Sequence, residues 1–98
     1  MTPGYRIEIV IEEPMARELA RTLKTLRVPG YTVIPRAHGS GDRGIRRGDE
    51  LAGDSSNCIF LIVCDDRALV EKVTEAVKPL ISRSGGMCLV SECQSLTH

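Results

Sequence analysis

Between Arg6 and Ile11 the side chains alternate, with Ile7, Ile9 and Ile11 on one side and Arg6, Glu8 and Val10 on the other. This period of two predicts a strand with one face in a core. The period then changes. Pro14 fits the first turn of a helix, Glu12 and Glu13 lie at its positive end, and Met15, Leu19, Leu23 and Leu26 recur at helical spacing to about Arg27. Val28, Pro29 and Gly30 close that helix, because the residue before proline resists helical dihedrals and Gly30 can adopt a positive φ. A second strand is predicted from Tyr31 to about Ala37. From His38 to Asn57 the apolar periodicity disappears, and Gly39, Gly41, Gly44, Gly48 and Gly53 punctuate a polar stretch that reads as a long loop. Cys58 to Cys64 is a continuous apolar run of strand length, the pattern of a central strand covered on both faces. Asp65 and Asp66 supply a cap or first-turn charge for a second helix lined by Leu69, Val73, Ala76, Val77 and Leu80. Pro79 predicts a kink or an end near that point, and Ser84-Gly85-Gly86 turns the chain into a last strand at Met87 to Cys93.

The order β-α-β-β-α-β predicts an α+β, ferredoxin-like fold: a four-stranded antiparallel sheet with two helices on one face, strands one and three central, and strands two and four at the edges. Residues 1–98 read as a single domain, with the long loop at about 40–57. Tyr5, Tyr31 and Phe60 are the only aromatics, so the core is aliphatic and small, and oligomerisation would enlarge the buried surface. Thirteen basic residues balance thirteen acidic ones. Such a chain has no general positive field for nucleic acid or anionic lipid, and any anion site must be local. The apolar run at the N-terminus is too short for a signal segment or a membrane span, which predicts a cytoplasmic protein.

Three features could carry chemistry. Gly39-Ser40-Gly41-Asp42-Arg43-Gly44 combines close backbone approach with a fixed guanidinium, which suits a phosphate; the same glycines also suit a merely flexible loop. The loop itself is long and of mixed charge, either a passive insertion or a segment that orders on a ligand and presents Arg46 and Arg47 to a partner. Arg83-Ser84-Gly85-Gly86 is either a plain helix-to-strand connection or one half of a cleft. In the second reading, a neighbouring subunit sets this turn beside the Gly39–Gly44 turn. Catalytic groupings are poor, since His38 and His98 are the only histidines, and no enzyme activity is expected. Cys58, Cys64, Cys88 and Cys93 read as buried structural thiols, or else as zinc ligands helped by His38 or His98.

Gly30-Tyr31-Thr32-Val33 followed by Gly39-Ser40-Gly41-Asp42-Arg43 resembles the PII-like signalling proteins, whose Gly-x-Thr-Val strand leads to a Gly-x-Gly turn at the base of a long T-loop. The resemblance covers nearly the whole chain, including the glycine turn at Ser84 to Gly86 where the family has its B-loop. It is strongest to the short PII-like proteins associated with bicarbonate transport and carboxysomes. It implies a homotrimer with adenine nucleotides between subunits. Tyr31 and Thr32 would then lie by the base, Gly39, Ser40, Gly41 and Arg43 by the phosphates, and Arg83, Ser84, Gly85 and Gly86 opposite them. The chain departs from the nitrogen-regulating members in lacking their T-loop tyrosine and, at His98, their basic C-terminal segment. AMP or ADP is therefore expected ahead of ATP, with bicarbonate as a second ligand and a bicarbonate transporter or carboxysome component as partner. The alternatives are a CutA-like metal-binding trimer and an enzyme of the same fold.

Overall fold

The computed structural model describes residues 1–39 and 56–96. Its elements run β1 (Thr2–Glu12), a single 3-10 turn (Glu13–Met15), α1 (Ala16–Thr25), β2 (Thr32–Ala37), β3 (Asn57–Cys64), α2 (Arg67–Ser84) and β4 (Met87–Ser95). The strands form one antiparallel sheet in the order β2-β3-β1-β4, so the two central and two edge positions are those expected.

The register sorts the side chains into two faces, because residues directly opposite on antiparallel strands point the same way. Ile7, Ile9 and Ile11 of β1 pair with Ile62, Phe60 and Cys58 of β3. All six are buried, and Leu19 and Leu23 of α1 with Val70, Val73, Val77 and Leu80 of α2 close over them. Both helices therefore lie on one face. Complete burial of each such aliphatic side chain contributes about 1.5–3 kcal/mol, and this cluster is the main source of the protomer's stability.

The other face is bare within the protomer. Ile34, Ile59, Val10 and Met87 form one row across all four strands, and Thr32, Leu61, Glu8 and Leu89 form the next. Ile34, Val63, Met87 and Leu89 are each about half exposed. The expectation that β3 is covered on both faces thus holds for one face only. Arg6 and Glu8 add an ion pair of 3.0 Å to this surface.

Several boundaries differ from the sequence reading: β1 and β4 are longer, β2 starts one residue later, and the helices and β3 differ as well. α1 begins at Ala16 after a 3-10 turn that holds Pro14, and ends at Thr25. The chain reverses at Arg27, which takes φ 61°, and Gly30 is not among the residues with positive φ. α2 continues through Pro79 to Ser84. Proline removes one N–H from the ladder, but Pro79 is exposed, so the Glu75 carbonyl left without its helical partner can face water. Asn57 already belongs to β3, where it pairs with Glu12.

Candidate functional site

At one end of the sheet four strand termini meet: the end of β1 at Glu12, the start of β3 at Asn57, the end of β2 at Ala37 and the start of β4 at Met87. The base of the long loop and the 83–86 turn therefore share that end. They do not share an edge, since β2 and β4 lie on opposite sides of the sheet, three strand spacings or roughly 14 Å apart. Within one protomer the loop base at Ala37–Gly39 and the 83–86 turn stay apart, and each stands on an edge open to a neighbour.

On the β2 side, Tyr31 precedes the strand with its ring half exposed and its centroid 5.3 Å from that of Phe60. Thr32 pairs with Leu61 and points to the bare face. Gly39 lies just past the strand, and a Cβ added there would meet none of the described residues within 4 Å. Ser40, Gly41 and Arg43, and Arg46 and Arg47, lie outside the described residues.

On the β4 side, Ser84 Oγ donates to the Leu80 carbonyl at 3.0 Å and the Gly85 N–H donates to the Ile81 carbonyl at 2.8 Å, so the end of α2 is tied off. Gly85 has φ 80° and Gly86 φ 118°, values that favour glycine. Gly86 also packs directly on the Val10 carbonyl of β1, where a Cβ would collide with it. Arg83 is committed elsewhere: its Nη2 donates to Glu18 at 2.8 Å, joining α2 to α1, and its Nε donates to the Pro79 carbonyl at 3.4 Å.

The loop base holds a residue that sequence reasoning places only as a helix-start charge. Glu13, on the 3-10 turn, accepts from the Arg36 N–H at 2.9 Å through one carboxylate oxygen and from the Ser56 hydroxyl through the other, while its own N–H donates to the Ser56 carbonyl at 3.1 Å. It thereby bridges the segment entering the loop and the segment leaving it. Arg36 is a non-glycine residue at φ 56°, inside a register shift between Ile34 and Ala37. That backbone costs about 1–3 kcal/mol, and it aims the N–H at Glu13. The Ser56 hydroxyl first, then the Arg36 N–H and the positive charges of Arg36 and His38, hold the Glu13 carboxyl below its ordinary range. Burial raises the Cys58 thiol, as does the nearby Glu13 charge, and burial raises Cys88.

A depressed carboxyl pKa means that the latch is complete above the ordinary Glu range and is lost as pH falls through the lowered folded-state value. The protection factor of the Arg36 amide, its exchange rate by NMR relative to the intrinsic rate at the same pH, is expected to stay high at neutral pH and to fall below that value. In Glu13→Gln the loss of protection with acid should vanish and protection at neutral pH should be lower than in the wild type. A wild-type protection factor that does not change with acid would show that the bridge does not hold the loop base.

Cys58 and Cys64 are buried and Cys88 and Cys93 half-buried, as free thiols. Among the described residues no three His, Cys, Asp or Glu side chains converge as a metal site would require. His38 is exposed at the loop base, and His98 lies outside the described residues. No helix among the described residues is long and apolar enough to cross a membrane.

Solved structures share this arrangement. CPII from Thiomonas intermedia K12, bound to ADP and bicarbonate, matches at 22% identity over 95% of this chain and 88% of that one, with a TM-score of 0.79. A PII-like signalling protein of Thermus thermophilus matches at 22% identity over 97% and 91%, with a TM-score of 0.76. GlnK of B. subtilis in complex with ATP matches at 22% over 95% and 84%, with a TM-score of 0.68. At these identities the likeness establishes a common fold. No curated protein matches the chain. The family described as "Nitrogen regulatory protein P-II" matches residues 5–97, nearly the entire chain, and the protein belongs to that family.

Proposed function

We propose that the protein is a cytoplasmic, non-enzymatic sensor of ADP and AMP that works as a homotrimer, with one nucleotide in each cleft between subunits. One observation carries the reading: the loop base and the Arg83–Gly86 turn stand at the same end of the sheet on opposite edges. A neighbour packed edge to edge at that end completes the site that neither edge forms alone. The bare apolar face supplies a reason to associate. CPII of Thiomonas intermedia, with the same fold, is bound to ADP, AMP and bicarbonate, which supports this choice of ligands.

In this reading Tyr31 and Thr32 meet the base, and Gly39, Ser40, Gly41 and Arg43 meet the phosphates. Ser84, Gly85 and Gly86 close the cleft from the neighbour, with Arg83 released from Glu18 as the nucleotide enters. The loop between β2 and β3 is the T-loop and the output, Arg46 and Arg47 its partner contacts, and bicarbonate a co-ligand at its base. The partner is a bicarbonate transporter or a carboxysome component.

Calorimetry with ADP, AMP, ATP, cyclic AMP and bicarbonate tests this. ADP and AMP are expected to bind more tightly than ATP, and Arg43→Ala to weaken ADP by about ten- to a hundredfold, the worth of one charge-assisted phosphate contact. Equal affinity in that variant removes Arg43 from the site. Absence of binding by every nucleotide overturns the sensing function.

A further inference from the structure

A second surface lies away from the sheet end, along the outer side of α1. Ala20, Val28 and Tyr31 form the floor of a groove of about 410 Å³, a size in the range of ligand clefts, and Arg17, Arg21 and Lys24 stand along it. These three cations occupy positions i, i+4 and i+7 of one helix and so share one face over about 10 Å of axis. Among the described residues none of the three has an ion-pair partner, whereas Arg67, Lys78 and Arg83 on α2 are paired with Glu71, Glu75 and Glu18. In a chain of zero net charge, this is a local positive stripe beside an apolar floor.

We propose that this groove docks an acidic amphipathic helix of another protein, with carboxylates at i, i+4 and i+7 facing Arg17, Arg21 and Lys24 and an apolar side chain between them on Ala20 and Val28. Charge complementarity selects the occupant. A compact anion such as phosphate or bicarbonate spans one helical turn, engages one or two of the cations and leaves the floor uncovered. Nucleic acid is drawn by an extended positive field, which a chain with balanced charges lacks. A second copy of this chain brings no free acidic face on α1 or α2, since Glu18, Glu71 and Glu75 are already paired. The surface is distinct from the T-loop as a partner contact; with the proposed nucleotide site it shares Tyr31 alone, and Arg17, Arg21 and Lys24 lie outside that site.

The test titrates the full chain with a short fluorescent helical peptide that carries glutamates at i, i+4 and i+7 and leucines between them. A scrambled peptide of the same composition, inorganic phosphate and a single-stranded RNA serve as comparisons. Binding is expected for the ordered peptide only, weakening as salt rises, with NMR shift changes confined to α1 and Val28–Tyr31. The triple variant Arg17→Glu, Arg21→Glu, Lys24→Glu should lose about tenfold or more in affinity while its thermal midpoint and its ADP affinity match the wild type. If the triple variant does not fold, Arg21→Gln alone, with its smaller loss, and the shift map decide. Equal binding of the scrambled peptide, RNA binding in its place, shifts elsewhere on the surface, or no binding of the ordered peptide each overturns the proposal. The ADP measurement on the same samples keeps this outcome separate from the fate of the nucleotide site.

Discussion

Gly86→Val is expected to lower the thermal midpoint by roughly 10 °C or more. At φ 118° a side chain is strained by about 1–3 kcal/mol whatever surrounds it. Here the new Cβ also collides with the Val10 carbonyl, so β4 must move away from β1 at the pair Val10–Met87. Overpacking of this kind adds about 1–3 kcal/mol, and for a domain of this size each kcal/mol shifts the midpoint by about 4–8 °C. Gly86→Ala should fall in the same direction, because the offending atom is the Cβ itself. A midpoint within a few degrees of the wild type, measured by calorimetric melting, would mean that the turn relaxes freely and that its tight approach to β1 is dispensable.

The second large effect concerns association. Ile59 sits in the row Ile34–Ile59–Val10–Met87 on the bare face, pointing away from the protomer core. Ile59→Glu is expected to leave the protomer folded and to convert the proposed trimer to monomer, because each subunit would bury a carboxylate among apolar partners at a cost of several kcal/mol. Since every 1.4 kcal/mol is tenfold, association should weaken by about a thousandfold or more. Light scattering at micromolar concentration reads the mass directly, and ADP binding should disappear with the trimer. A variant that keeps its trimeric mass would show that subunits meet through another surface.

Much of the fold can be read along the chain because its signals are local. The alternation at Ile7, Ile9 and Ile11, the helical spacing of Leu19 and Leu23, and the Asp66 cap, whose carboxylate accepts from the Ala68 N–H at 2.9 Å, each depend on neighbours a few residues apart. Local rules fail where the outcome is set at a distance. Pro79 predicts a kink or an end in α2; the helix does not end there, since Val77 and Leu80 are buried on either side of it and that packing outweighs one missing hydrogen bond. The run at β3 suggests cover on both sides because one apolar stretch serves two purposes, a helix-packed face and a bare one. Glu13 is not legible as a bridge at all. Its partners lie 23 and 43 residues away, and they reach it through a register shift and a positive φ at Arg36 that no composition signals. On the proposed site, the Gly39–Gly44 turn lies mostly outside the described residues, and the fold adds that the loop base and the 83–86 turn occupy opposite edges.

In the proposed trimer, that placement gives each protomer two unlike half-sites, facing in opposite directions. In the proposed ring every cleft draws one half from each of two chains, so damage confined to one half can be compensated by a neighbour. Consider a population crippled at Arg43 and another crippled at the Ser84–Gly86 turn. Neither alone assembles an intact cleft, yet any ring that contains both kinds of chain has one place where the sound halves meet. Mixing two inactive variants and letting them exchange subunits should therefore restore nucleotide binding at up to one cleft in each mixed trimer, whereas a site built within a single chain would stay silent in every mixture.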